Sequence, residues 1–346
     1  MTTVHDILQC VSKYLSTAPP LLSGPHLHIG SPDRQVSRVF LTPEVASTPS
    51  DGPDLVLCCR PVLPETLGAL DESQPEAALA CALIRQGVAV ALLGSRFEAA
   101  KGGASDCLAS AVGLQNSAPL LPMGCEALYK LAVFTPPEAV QAVINALASA
   151  GAGIIGNYSH CTFRSPGTGT FLPLDGASPY IGEVGQLEQV EEFRLEALVP
   201  AHALEDAVSA MLAVHPYEEA AYDIYPLENR GQPLGSGRIG DLPEEEALHN
   251  LASRLNARIL HGGEAETVRR AAVVAGEAER EHIASAVRSA DCIIVGGITR
   301  SALFCAAAAN LPVLELGYSE SIRPGLRAVA QILHRLPNVE ASVSLL

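Results

Sequence analysis

Short apolar runs rich in Val, Ile and Leu alternate with longer amphipathic segments, and they do so on both sides of a central stretch of different texture. Before that stretch, apolar runs at 55–59 and 88–93 alternate with helical patterns at 75–86 and 103–112. After it the runs are 271–275, 292–295 and 313–316, with helical patterns at 280–289 and 301–310 and a last helix from Pro324 to about Leu336, opened by the proline. A strand that is apolar throughout has to be covered on both faces, so the pattern predicts an α/β protein with its sheets between helices.

The central stretch reads as an inserted domain over 129–228, leaving 1–128 and 229–346 as one discontinuous α/β domain. Its order is strand 130–135, helix 137–150, paired strands around 161–164 and 169–173, strand 191–199, helix 201–214 and strand 221–225. Two βαβ units in that order make a ferredoxin-like α+β sandwich. Gly151 to Gly156 supplies a glycine stop to the first helix, and Gly167-Thr-Gly-Thr170 the turn of a hairpin.

Charge narrows the partners. Lys and Arg number 22 against 38 Asp and Glu, a net charge of -16, which repels phosphate backbones and anionic membranes. Nucleic acid and membrane are therefore excluded as partners. No apolar stretch reaches the roughly 18 residues needed to span a bilayer, and MTTVHDILQCVSKYL has no basic start followed by an apolar block, so a cytoplasmic location is expected. The nine cysteines lie at irregular intervals inside apolar runs, as reduced buried thiols do. Cys58 and Cys59 are adjacent, which suits neither a CxxC zinc knuckle nor an unstrained disulfide.

The string GAGIIGNYSHCTFRSPGTGTFLPLDGASPYIGEVGQLEQVEEFRLEALVP, followed by HPYEEAAYDIYPLE, closely resembles the insertion of long bacterial Nif-three-like proteins (NGG-one interacting factor three), often labelled GTP cyclohydrolase type 2 homologues. RQVSRVFLTPEV, EAAKGGASDCLASAVGL, GSGRIGDLPE and RPGLRAVAQIL resemble the flanking pieces of that family in the same order. The resemblance implies two similar α/β halves facing each other, an insertion similar to PII and CutA proteins, a toroidal homohexamer, and a dinuclear metal site of His and carboxylate ligands between the halves.

Against that pattern the metal residues are missing. Where relatives show Thr-His-His-Pro, this chain has Cys58-Cys59-Arg60-Pro61, and a guanidinium does not bind metal. Where they show Ala-His-Thr-Asn-Leu-Asp, it has Gly94-Ser95-Arg96-Phe97-Glu98, keeping only the carboxylate. Tyr318 and Ile322 stand at the last two ligand positions, and Gly296-Gly-Ile-Thr-Arg-Ser301 carries no histidine. The expectation is a catalytically degenerate, metal-free binding or scaffold protein without cofactor, in which Arg60 and Arg96 could grip a small anion. The alternative is a metal-dependent hydrolase of a nucleotide or related small molecule, with one divalent metal such as zinc rebuilt on Cys58, Cys59, Glu98 and Glu320.

Three further signals have competing readings. His215, Glu218 and Glu219 in His-Pro-Tyr-Glu-Glu form either a ligand cluster in the inserted domain or a hydrogen-bonded corner. His26 and His28 read as solvated loop residues or as relocated metal ligands. Gly235-Ser-Gly-Arg-Ile-Gly240 matches a dinucleotide fingerprint, but no apolar strand precedes it; a glycine turn into a helix begun by Asp241, Glu244 and Glu245 is the better reading.

Overall fold

The computed structural model describes residues 1–19, 21–49, 52–63, 70–262 and 267–344. The chain forms two compact units, Met1–Gly124 with Pro233–Leu346, and Cys125–Gln232. The first N-terminal elements are α1 (Val4–Tyr14), β1 (His26–Ile29), β2 (Arg38–Thr42), β3 (Leu55–Cys58), α2 (Pro75–Arg85), β4 (Ala89–Leu92), α3 (Arg96–Ala99), α4 (Ala104–Val112) and β5 (Gln115–Thr135). The insertion adds α5 (Val140–Ser149), β6 (Thr162–Phe171), β7 (Glu188–Pro200), a short 3₁₀ turn, and α6 (Leu204–Val214). The chain returns through β8 (Tyr222–Ala247) to α7 (Leu248–Arg254), β9 (Arg258–His261), β10 (Thr267–Ala278), α8 (Arg280–Ala286), β11 (Cys292–Ile298), α9 (Arg300–Ala308), β12 (Val313–Glu315), α10 (Tyr318–Leu333) and β13 (Glu340–Val343).

The discontinuous unit repeats one motif. Its first sheet runs β1-β4-β3-β2-β13 and its second contains β9-β12-β11-β10-β8. In each, an antiparallel edge strand (β1 or β9) lies beside three parallel strands in reversed chain order. The two halves are therefore similar, as the paired rhythm of apolar runs predicts.

Period-two packing explains why these strands are apolar throughout. On β3, Leu55 and Leu57 enter the central core with α1, α4 and α10, while Val56 and Cys58 enter an outer core with α2. On β10 and β11, Ala271, Val273 and Ile294 join the same central core, while Ala272, Val274, Ile293 and Val295 pack with α8 and α9. The layers are thus helix, sheet, helix, sheet, helix. Gly325 lets α10 approach α4 closely, since a Cβ there would lie 2.7 Å from the Cα of Ala104.

In the inserted unit the sheet order is β6-β7-β5-β8, with β7 antiparallel to both β5 and β6. Helices α5 and α6 cover one face through Leu131, Val133, Val143, Leu147, Leu195, Ala207 and Met211. This is the ferredoxin-like order. Among the described residues no helix is long and apolar enough to cross a membrane.

Four local expectations are corrected. Helix α10 begins at Tyr318 rather than Pro324, because Gly317 at φ +92 caps it and Ser321 N–H bonds to Gly317 O. Pro324 sits inside the helix, and the carbonyl it leaves without a helical partner belongs to the exposed Glu320. Gly167–Thr170 lies in mid-β6, paired with 189–192 of β7, and is no turn. His26 and His28 stand on strand β1, not in a loop.

The fourth is Gly235–Gly240, which belongs to β8; helix α7 starts only at Leu248. Asp241 instead pairs with Arg270 at 2.6 Å, and Glu245 accepts from the Thr267 hydroxyl. The glycines serve close approach: a Cβ on Gly235 would collide with the Leu121 carbonyl oxygen. Gly235→Ala is expected to destabilise the protein by about 1–3 kcal/mol through overpacking, read by urea unfolding. An unchanged midpoint would mean the backbone yields there.

Candidate functional site

Strands β3 and β4 of the first sheet and β10 and β11 of the second end toward one cleft of the discontinuous unit. Backbone bonds from Cys59 N–H and Arg60 N–H to Pro43 O fix the end of β3. Alternation then separates the two thiols. Cys58 is fully buried in the outer core, and its thiol donates to Arg60 O at 3.3 Å. Cys59 faces the central core instead. Burial pushes the Cys58 thiol up to about 12 and the Cys59 thiol well up, the latter helped by the nearby Glu98.

Glu98 comes from the short α3 and reaches across to β10. A Cβ on Gly276, where φ is +80, would lie 2.8 Å from Glu98 Oε1, so this glycine makes room for the carboxyl. Burial raises the Glu98 pKa to about 7, with the Arg60 guanidinium pulling it down and Glu277 pushing it up. The Arg60 guanidinium carbon lies 4.0 Å over the Tyr318 ring, and Nη1 lies 3.7 Å from Glu44.

Tyr318 is the first residue of α10, so the stacking depends on how that helix is anchored. Ser321, fully buried, donates to Tyr318 O at 2.7 Å and accepts from Gly276 N–H at 3.0 Å. Burial, with Cys59 and Glu98 nearby, raises the Tyr318 hydroxyl against the pull of Arg60.

Beside this cluster lies a cavity of about 720 Å³ whose lining includes His26, His28, Cys59, Leu92, Phe97 and Glu98. His26 Nδ1–H donates to Gly24 O at 3.0 Å, and His28 Nε2 accepts from Leu63 N–H at 3.2 Å. Burial, followed by His26, lowers the His28 pKa, so the His28 ring enters the site as a neutral hydrogen-bonding group. A larger cavity, about 880 Å³, follows β2, β13 and residues 42–49 without touching Cys59 or Glu98. The smaller one is the better candidate, because a carboxyl titrating near 7 and several polar groups converge on apolar walls there.

The residues singled out in the sequence divide accordingly. Arg60, Cys59 and Glu98 come together, whereas Cys58 points to the opposite face of its strand. Glu320 is held by Arg323, both carboxylate oxygens lying 2.7 Å from Nη1. Arg96 donates from Nε to Leu22 O at 2.9 Å. Ile322 is fully buried core. Among the described residues no three His, Cys, Asp or Glu side chains gather as a metal-binding group. Two protonated thiols on opposite faces, one carboxyl beside a guanidinium and one carboxylate already paired do not fit a dinuclear metal centre.

In the inserted unit His215 is a structural corner. Its Nε2–H donates to Phe134 O at 3.0 Å and its Nδ1 accepts from Tyr217 N–H at 3.2 Å, which uses both ring nitrogens. Burial lowers its pKa and keeps it neutral. Glu218 accepts from Ser178 N–H at 2.9 Å, and Glu219 is exposed. What the sequence did not reveal was Ser321, Glu277 and the pairing of Tyr318 with Arg60. Tyr318 was visible only as a replaced ligand position, and Glu277 lay hidden in a charged run.

Fold and cleft together define a two-sheet α/β protein with a ferredoxin-like insertion and a polar cleft at converging strand ends. The model of the Duf34/NIF3 (NGG1p interacting factor 3) family matches residues 23–345, and the chain belongs to that family. Among its relatives, a protein of Halalkalibacterium halodurans named GTP cyclohydrolase 1 type 2 homolog is 37% identical over 284 residues, covering 78% of this chain and 76% of its own. Its namesake in Bacillus subtilis is 35% identical over 308 residues, with 86% and 83% covered. Among solved structures, a Bacillus cereus protein related to NIF3 superposes with a TM-score of 0.82 at 32% identity, covering 100% of this chain and 97% of that one.

Proposed function

We propose that this chain is a catalytically degenerate, metal-free member of the Duf34/NIF3 family that acts as a binding or scaffold protein through its strand-end cleft. The observation that carries the reading is the Arg60 guanidinium lying on Tyr318 beside Glu98, where a divalent cation would meet positive charge. A hydrolase built on Cys58, Cys59, Glu98 and Glu320 would need Cys58 to change faces and Glu320 to leave Arg323. The same proposal takes in assembly as a homohexamer, from the family resemblance, and the cytoplasmic location expected from the sequence. Sedimentation at the mass of a single chain would sink the hexamer.

The test is elemental analysis of protein purified without chelator or affinity tag. Essentially no transition metal per chain is expected. Stoichiometric metal that disappears in Cys59→Ala and Glu98→Gln would overturn the proposal in favour of metal-dependent hydrolysis. The Arg60 side chain remains 47% exposed, and this favours a second form of the reading, in which a small anion is held with Arg96. A thermal midpoint that inorganic phosphate raises in the wild type, but in neither Arg60→Ala nor Arg96→Ala, is its expected signature. A midpoint unmoved by phosphate removes that form.

A further inference from the structure

The acidic groups beside Arg60 and Glu98 come from four separate elements. Glu98 is on α3, Glu277 on β10, the Tyr318 hydroxyl on α10, and Glu44 follows β2. Glu98 and Glu277 repel each other, and Cys59 and Glu98 add to the burden on Tyr318. The cation acting on both Glu98 and Tyr318 is Arg60, which also stands 3.7 Å from Glu44. Its guanidinium carbon lies 4.0 Å from the centre of the Tyr318 ring, and the start of α10 is fixed through the buried Ser321. A cation stacked in this way is oriented rather than drifting at the surface.

We infer that Arg60 is a resident cation: it supplies from the chain itself a positive charge beside Glu44 and Glu98, and thereby excludes divalent ions. The inference rests on the metal-free reading and adds to it a cause residing in one side chain. Glu44 and Glu98 offer hard oxygen donors of the kind that suit Mn²⁺ or Mg²⁺, but the Arg60 charge already stands beside both. The physical logic is exclusion by like charge, since a divalent ion brought to a guanidinium in a partly desolvated cleft is repelled strongly. Two glycines complete the arrangement. Gly276 admits the Glu98 carboxyl, and Gly296 admits Ser321, whose Oγ occupies the space a Cβ would need.

The experiment compares wild type, Arg60→Met and Arg60→Lys, with Mn²⁺ alone as the probe, by calorimetric titration and thermal midpoint. Methionine keeps an apolar stem over Tyr318 and removes the charge; lysine keeps the charge without the planar stack. The inference expects wild type and Arg60→Lys to ignore Mn²⁺, and Arg60→Met to bind it at least about tenfold more tightly, with a raised midpoint. Arg60→Met as indifferent as the wild type would overturn it, provided circular dichroism shows the variant folded. If it is not folded, Arg60→Gln replaces it under the same criterion. Arg60→Lys behaving like Arg60→Met would also overturn it, because the stack and not the charge would then be the barrier. Mn²⁺ binding by the wild type would instead defeat the metal-free reading itself, so the two failures are distinguishable.

Discussion

Arg238→Met is expected to destabilise the protein by about 3–5 kcal/mol, the range for removing one partner of a buried ion pair. Arg238 is 6% exposed. Its Nε donates to Asp106, its Nη1 to the carbonyls of Gly235 and Gly237 at 3.1 and 2.7 Å, and its Nη2 to those of Ala99 and Ala100 at 2.9 and 3.2 Å. One guanidinium thus joins β8, α4 and the turn after α3. Methionine fills the volume of the stem and satisfies none of those acceptors, leaving them buried without donors. Because Ala99 and Ala100 directly follow Glu98, the variant is also expected to disturb the cleft. Urea unfolding followed by circular dichroism measures the loss, and a change under about 1 kcal/mol would mean water replaces the guanidinium without cost.

Glu98→Gln should act in the opposite direction, and only above acid pH. The folded-state pKa of about 7 stands above the ordinary value of 4.5, so the folded chain holds a proton that the unfolded chain releases. Wild-type stability therefore falls as pH rises from about 4.5 to 7, and above that range the cleft carries the full cost of a buried carboxylate. Glutamine never ionises. The variant is expected to match the wild type near pH 4 and to exceed it by about 1–3 kcal/mol at pH 8, since a tenfold difference in proton affinity between the folded and unfolded chains corresponds to about 1.4 kcal/mol. Midpoints measured across that range decide the sign. A variant less stable than the wild type at pH 8 would mean that attraction to Arg60 outweighs the desolvation of Glu98.

Both effects involve residues whose identity is plain in the sequence and whose role is not. Arg238 sits in a string that mimics a dinucleotide loop. What separates the two meanings is the neighbouring strand: the Gly235, Gly237 and Gly240 backbone is pressed against β5, and only a partner from α4 makes Arg238 a buried anchor. The Gly167–Thr170 turn failed for a related reason. Glycine permits a turn but does not require one, and the long partner strand β7 kept β6 extended. The early start of α10 came from Gly317 and Ser321, both invisible to a rule that reads proline as a first helical residue.

Apolar runs without alternation had to be buried on both faces, so the layered α/β plan was legible in the sequence alone, and the family was legible in its motifs. The absence of histidine from residues 58–61, 94–98 and 317–322 was equally plain, since a residue's chemistry travels with its letter. Which side chains meet was not. Cys58 and Cys59 are adjacent in the chain, yet the pleat sends them to opposite layers. Arg60 and Tyr318, separated by most of the chain, lie in contact because two sheets end toward one cleft and a buried serine fixes the helix between them. Local chemistry is written in order along the chain. Its partnerships depend on loop closure and on which face a strand presents, and only the tertiary structure decides those.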